Sequence, residues 1–253
     1  MEAHKLLKDF FELAIQEGLT SSASRLHYHL KSFYRGIPLN QKSVLDIGCG
    51  TGLLSLYAFC QGARQVVGLE PEAQGSTIGT LHKFTKMINI LGLNGITALP
   101  CTFQEYSCPD NSYDIIVLCD SINHLDEEAC IHLQHSQLAR DKYKWLFSKM
   151  NRLLAYDGKI IITDCSRHNF FALLGRKNPF GPDIEWHKHQ SPRFWANLLE
   201  SCGFTNPMIN WTTPLILRGL GKPLGNLFTS YFLLSHFRLV MNKKHLQSAG
   251  YHI

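Results

Sequence analysis

The eight cysteines of the chain include no CxxC pair, and the sequence has no HExxH, no internal repeat and no low-complexity tract. Without paired spacing, and with most cysteines inside apolar or helical-looking runs, a zinc site or disulfide framework is disfavoured; free thiols in a reducing compartment are expected. No stretch reaches the roughly 18 uninterrupted apolar residues that a bilayer span requires. The start, MEAHKLLKDFFELAIQEG, is amphipathic and lacks the long apolar run of a signal peptide, so a cytoplasmic location is expected. Charge of one sign is scarce too. Lys and Arg number 25 against 20 Asp and Glu, a net +5 that is too small to argue for a dedicated nucleic-acid binder. It supports only a mild attraction for anions. Hydrophobic residues at 45% and charged residues at 18% leave ample material for a buried core and exclude disorder, and 253 residues suit one large α/β domain.

Apolar periodicity predicts two amphipathic helices first, over Ala3–Glu17 and Ser22–Tyr34. Residues 1–42 are therefore read as a helical cap. Strands are then expected at Ser43–Ile47, Gln65–Leu69, Ile96–Leu99, Tyr113–Leu118 and Lys159–Thr163, with helices at Leu53–Cys60, Thr77–Leu91 and Pro192–Glu200 and another ending near Leu154. Strands alternating with helices call for βαβ units and a mostly parallel sheet. Two further strands, Pro207–Thr212 and Phe237–Met241, lack a crossover pattern and are expected to run antiparallel. Between them lies an apolar insert, residues 213–235, interrupted by Gly and Pro. It can cover one end of the domain, form a dimer contact or line a hydrophobic pocket. Membrane-surface contact, suggested by Arg218, Lys222, Arg238, Lys243 and Lys244, is the less favoured reading.

The sharpest motif is Val44-Leu45-Asp46-Ile47-Gly48-Cys49-Gly50-Thr51-Gly52, where a buried strand gives way to a helix. Its GxGxG spacing differs from the GxGxxG of a pyrophosphate-binding turn. Asp46, two residues before the glycines, would repel a pyrophosphate but attract an ammonium. Glu70 ends the next strand, where a carboxylate can accept both hydroxyl protons of a ribose. S-adenosylmethionine carries an ammonium and a ribose and has no pyrophosphate.

On these residues the chain resembles the class I S-adenosylmethionine-dependent methyltransferases, small-molecule type. Val44–Gly52 is similar to that family's first motif and Leu69-Glu70-Pro71 to its second, over a likeness spanning Ser43–Phe204. The resemblance implies a doubly wound, mostly parallel seven-stranded α/β sheet of Rossmann-like methyltransferase type, with a helical lid and an antiparallel C-terminal strand. It implies S-adenosyl-L-methionine as cofactor, its methionine end at Asp46, Gly48, Cys49, Gly50 and Gly52 and its ribose at Glu70. Phe103 with Gln104 or Glu105 would face the adenine, although Phe103 also reads as ordinary core. Cys119, at the end of the fourth strand, would complete the pocket.

Asp120 and His124 stand four residues apart, the spacing of one helical face. They resemble the acidic-x-x-x-His pattern of quinone-biosynthesis O-methyltransferases. His124 is thus a candidate general base beside Asp120, or a structural histidine that caps a turn. Arg167, Lys188 and His189 are candidates for a phosphate, sulfate or carboxylate on the acceptor, or else form a charged loop. Tyr28 and Tyr34, with His27 and His29, belong either to a mobile lid or to helices packed permanently on the sheet. No metal is expected, because Lys188 separates His187 from His189 and the acidic spacing around Asp120 and Asp164 is poor. The function expected is methyl transfer to oxygen or nitrogen of a small organic acceptor, hydrophobic or anionic, by a monomer or homodimer. A cofactor-binding module without turnover and a nucleic-acid methyltransferase are the alternatives; the latter lacks a basic tract and the Asn/Asp-Pro-Pro-aromatic motif.

Overall fold

A computed structural model describes residues 2–72, 78–212 and 225–244. Its helices are α1 (Glu2–Gln16), α2 (Ala23–Phe33), α3 (Leu53–Cys60), α4 (Thr80–Ile90), α5 (Glu127–His132), α6 (Gln137–Leu153), α7 (Phe170–Leu173), α8 (Pro192–Glu200) and α9 (Leu227–Phe232). Its strands are β1 (Ser43–Ile47), β2 (Gln65–Leu69), β3 (Ile96–Leu99), β4 (Tyr113–Cys119), β5 (Leu154–Cys165), β6 (Phe204–Trp211) and β7 (His236–Lys243). They form one sheet in the order β3-β2-β1-β4-β5-β7-β6, parallel from β3 to β5, with β7 antiparallel to both neighbours. The doubly wound sheet and its antiparallel end are as the sequence led us to expect. From β1 the chain winds outward to β2 and β3, then returns to lay β4 on the other flank. The carboxyl ends of β1 and β4 therefore border the crevice where open α/β sheets bind ligands.

Both faces of the sheet are covered, which accounts for strands that are apolar without interruption. Successive residues serve opposite faces. Leu45, Ile116, Leu118, Ile160 and Ile162 pack with Tyr143, Phe147 and Trp195 of α6 and α8. Val44, Ile115, Val117 and Ile161 pack with Phe10, Leu30, Leu56 and Phe84 of α1 to α4. Helix starts follow local chemistry: Ser22, Asp126, Ser136 and Ser191 each accept a backbone N–H of their own first turn.

The two N-terminal helices take the packed reading. Phe10, Leu30, Phe33 and Tyr34 are buried in the second cluster. Arg238 on β7 donates to the carbonyls of Phe33 (2.6 Å) and Arg35 (3.0 Å), satisfying acceptors that the end of α2 leaves open. Burial, then the nearby Arg35 charge, lowers the Arg238 pKa to about 10. Arg238 therefore gives no support to the less favoured membrane-surface reading. Lys243 is engaged as well, with Asn111 Oδ1 at 2.9 Å and the Leu154 carbonyl at 2.6 Å. Residues 213–224 of the apolar insert, with Arg218 and Lys222, lie outside the described residues, as does Thr77 at the expected start of the fourth helix. Among the described residues, no helix is long and apolar enough to cross a membrane.

Gly52 opens α3 at φ +73°, and a Cβ there would stand 2.1 Å from Cδ2 of the fully buried Phe84. Backbone strain and overpacking cost about 1–3 kcal/mol each. Gly52→Ala is therefore expected to lower Tm by roughly 5–15 °C in a calorimetric scan. An unchanged Tm would show that α4 yields freely.

Candidate functional site

A cavity of about 280 Å³ opens at the carboxyl ends of β1, β2 and β4, lined among others by Gly48, Gly50, Glu70, Phe103, Asp120 and His124. The glycine loop and the end of β2 are joined directly: the Gly50 N–H donates to Glu70 Oε2 at 2.7 Å. Glu70 Oε1 accepts from the Glu72 N–H at 3.4 Å. Gly50 lies at φ +53°, and a Cβ on it would meet only open space, so its bare backbone forms part of the cavity wall. Across the loop, Ser121 Oγ donates to the Ile47 carbonyl at 2.6 Å and ties the ends of β1 and β4 together.

Asp46 lies behind this wall. Its carboxylate is fully buried, with Oδ2 accepting from Ser55 Oγ at 2.7 Å and Oδ1 without a hydrogen-bond partner among the described residues. Burial pushes its pKa up to about 7; the Ser55 hydrogen bond opposes the rise and the Glu70 charge adds to it. Cys49 and Gly52, expected beside the cofactor, are absent from the cavity lining, whereas Cys119 is present. Burial, and then the adjoining Asp120 charge, pushes the Cys119 thiol well up. On the opposite wall Phe103 is both core and lining, 2% exposed, with Lys149 Nζ 4.8 Å from its ring centre. Gln104 lines the cavity and donates to the Leu125 carbonyl. Glu105 turns back onto Thr102 N and Oγ1 instead, at 2.9 and 2.8 Å.

Asp120 and His124 share the cavity but not one helical face. Asp120 takes φ +51° before a 3₁₀ turn over Ile122–Leu125, so the regular spacing breaks there. Asp120 Oδ1 meets His236 Nε2 at 2.9 Å, while His124 Nδ1 meets Glu127 Oε1 at 2.6 Å. His236 also engages Thr212 Oγ1 through Nδ1 at 2.7 Å. Burial alone would lower the His236 pKa, but Asp120 by charge and hydrogen bond, joined by the Asp164 charge, leaves it raised. The same pairing holds Asp120 below the usual carboxylate range against the opposing effect of burial. Sequence reasoning missed His236: it stands 116 residues from Asp120, and no local spacing announces the pair. His29 on α2 feels both charges, although burial dominates and lowers its pKa.

Three other expectations are corrected. Lys188 binds Glu185 at 2.7 Å and Glu127 at 3.2 Å, so its charge is already matched. His189, its side chain 14% exposed, sets Nδ1 against Asp164 Oδ1 at 2.7 Å and is turned to structure. Tyr34 is buried, donates to the Leu54 carbonyl at 3.3 Å and stacks on Tyr57; it is not offered to an acceptor. Tyr28 on α2 is half-buried and outside the cavity lining. Of the expected anion-binding groups, Arg167 lines a second cavity, of about 350 Å³, beyond the end of β5.

A family model described as a methyltransferase domain matches residues 22–207. Ubiquinone biosynthesis O-methyltransferase of Serratia proteamaculans is 25% identical over 157 residues, covering 57% of this chain and 62% of that protein. Protein arginine N-methyltransferase 1 of Schizosaccharomyces pombe is 34% identical over 77 residues, 30% of this chain and 21% of its own length. The match thus spans less than two thirds of either relative. Among solved structures, an S-adenosylmethionine-dependent methyltransferase described as putative, from Listeria monocytogenes, superposes with a TM-score of 0.57 at 15% identity. It covers 88% of this chain and 100% of its own, a likeness of fold.

Proposed function

From the premise that the chain belongs to the methyltransferase-domain family and is an S-adenosylmethionine-dependent enzyme, we propose that it methylates oxygen or nitrogen of a small organic acceptor. The observation that carries this reading is one cavity bordered by the bare Gly50 backbone, the Glu70 carboxylate and the His124 imidazole. The site fits the cofactor on three counts. Asp46 Oδ1 is a buried acceptor without a partner among the described residues, Gly50 leaves room where a Cβ would stand, and Glu70 presents a carboxylate at the ribose position.

In this reading Glu70 accepts the ribose hydroxyls while keeping the Gly50 amide. Phe103 and Gln104 border the adenine. Asp46 acts from behind the glycine loop, its negative field favouring the ammonium. When bound, the cofactor supplies a methyl group on a sulfonium leaving group, so positioning does much of the catalysis. His124 takes the acceptor's proton on Nε2: Glu127 fixes Nδ1, and no described residue hydrogen-bonds Nε2. Asp120 is the positioning group of the acceptor side, held by a His236 whose two ring nitrogens are both engaged. The small acceptor is favoured by the partial likeness to the ubiquinone enzyme and by the absence of a basic tract.

Calorimetric titration with S-adenosylhomocysteine and with NAD tests the cofactor reading; heat with NAD and none with the homocysteine nucleoside would defeat it. Asp46 gives a second test. Its pKa of about 7 in the fold exceeds the ordinary 3.8, so its ionisation costs stability, nothing below pH 3.8 and in full above about pH 7. That cost is on the order of 4 kcal/mol. Asp46→Asn is therefore expected to raise the Tm of the ligand-free protein at pH 8, and less at pH 5, while weakening S-adenosylhomocysteine binding about tenfold. A lower Tm at pH 8 with unchanged affinity would remove Asp46 from the account.

A further inference from the structure

The second cavity lies at the same carboxyl edge of the sheet as the first. Cys119, in the wall of the first, is in register with Thr163 of β5, and Arg167 follows the end of β5 by two residues. Its lining includes Arg167, His168, Leu173, Trp186, His187 and Tyr231, and no carboxylate among the described residues. Two acids close to it in the chain are committed elsewhere, Asp164 to His189 and Glu185 to Lys188. Arg167 is half-buried and hydrogen-bonds only a neutral group, Gln190 Oε1 at 3.2 Å, among the described residues. A guanidinium in that setting keeps donors for an anion, and two imidazoles stand beside it.

The cavity is also built. Asn169, 1% exposed, donates to the carbonyls of Tyr231 and Leu233 at 3.0 and 2.9 Å and accepts from the Phe171 N–H at 2.9 Å, which fixes α7 against α9. From the cavity mouth an apolar surface runs outward along those two helices. Phe170 lies 5.1 Å from Phe232, and Phe232 5.2 Å from Phe228, between ring centres. Leu173 is 76% and Phe228 75% exposed, a cost that a soluble surface does not ordinarily carry in one place.

We infer that the second cavity binds an anionic amphiphile, a single molecule whose phosphate, sulfate or carboxylate is held by Arg167, His168 and His187 and whose apolar body lies over α7 and α9. This rests on the methyltransferase reading, for which such molecules are the class from which the acceptor is drawn. One pocket of positive charge with aromatic walls, beside an apolar track left exposed by the described residues, is complementary to that molecule in both its parts. Neither half explains the other alone, since a free inorganic anion leaves the track bare and a neutral lipid leaves Arg167 without its counter-charge.

Titration with monododecyl phosphate below its micellar concentration, inorganic phosphate and dodecanol, followed by calorimetry, tests it. Dodecyl phosphate is expected to bind at least tenfold more tightly than either other probe. Arg167→Gln should weaken dodecyl phosphate at least tenfold and leave dodecanol unaltered; Phe228→Ser should weaken dodecyl phosphate and leave inorganic phosphate unaltered. His187, exposed at the cavity, offers His187→Gln as a replacement should Arg167→Gln fail to fold. Equal affinity for dodecyl phosphate in wild type and the charge variants overturns the inference, and so does inorganic phosphate binding as tightly as its alkyl ester. S-adenosylhomocysteine titrated into the same samples reads the first cavity separately, so loss of the methyltransferase reading and loss of the amphiphile site give different results.

Discussion

Replacing His124 with alanine is expected to lower kcat by about 10²–10⁴, the range that a positioned proton acceptor contributes. The case is geometric. Glu127 takes Nδ1 at 2.6 Å and leaves Nε2 without a hydrogen-bond partner among the described residues, on a residue that lines the cavity shared with Asp120 and Glu70. Burial would raise the Glu127 pKa, yet the hydrogen bonds and charges of His124 and Lys188 together hold it low, so the orienting carboxylate stays ionised through neutrality. His236 cannot serve in the same way, because Asp120 and Thr212 occupy its two nitrogens. The expected signature is a fall in kcat with S-adenosylhomocysteine affinity unchanged. Glu127→Gln should fall between wild type and His124→Ala. His124 is about one third exposed, so Tm should hardly move. Full kcat in His124→Ala at every pH would place the proton transfer elsewhere or show that the acceptor atom arrives already deprotonated.

How far the sequence was legible follows from how local each signal is. The bounds of β1, α3, β2, β3 and α8 are those expected, because each is an apolar or periodic run closed at its end, or within two residues of it, by glycine, proline or a charged residue. β5 begins at Leu154, five residues ahead of Lys159. Asp157 and Gly158 look like a turn, but with Asp157 at φ +62° they are accommodated inside the strand, where the pairing with β4 slips between Tyr113 and Ile115. The glycine loop and Glu70 were readable together because a fixed βαβ step separates them. Side chains whose partners come from remote elements were not. Lys188 and His189 look like anion binders until Glu127 and Asp164 arrive from α5 and β5, and Arg238 looks like a surface cation until α2 closes on it. Positive charge in a sequence says nothing of which carboxylate the fold will set against it, and that pairing decides whether any charge remains for a ligand.

Glu70→Ala should remove about 10²–10⁴ in affinity for S-adenosylhomocysteine. Hydrogen bonds to a charged acceptor are worth about 1.5–3 kcal/mol each, and two ribose hydroxyls would lose theirs. Glu70 is 4% exposed, so its contacts are made with little competition from water. The same carboxylate receives the Gly50 N–H at 2.7 Å, and its loss would also leave that amide without its acceptor. The penalty of an unpaired buried donor is about 1–3 kcal/mol, so the ligand-free Tm should fall by roughly 2–10 °C. The two effects separate with Glu70→Gln. Its amide oxygen can still accept from Gly50, restoring most of the Tm, while its NH₂ replaces one acceptor at the ribose and affinity recovers only in part. Recovery of both in equal measure would mean that Glu70 matters only by shaping the loop. Recovery of stability with affinity still impaired would locate the sugar at this carboxylate, since a role confined to the Gly50 amide gives the amide side chain no reason to bind the nucleoside less well.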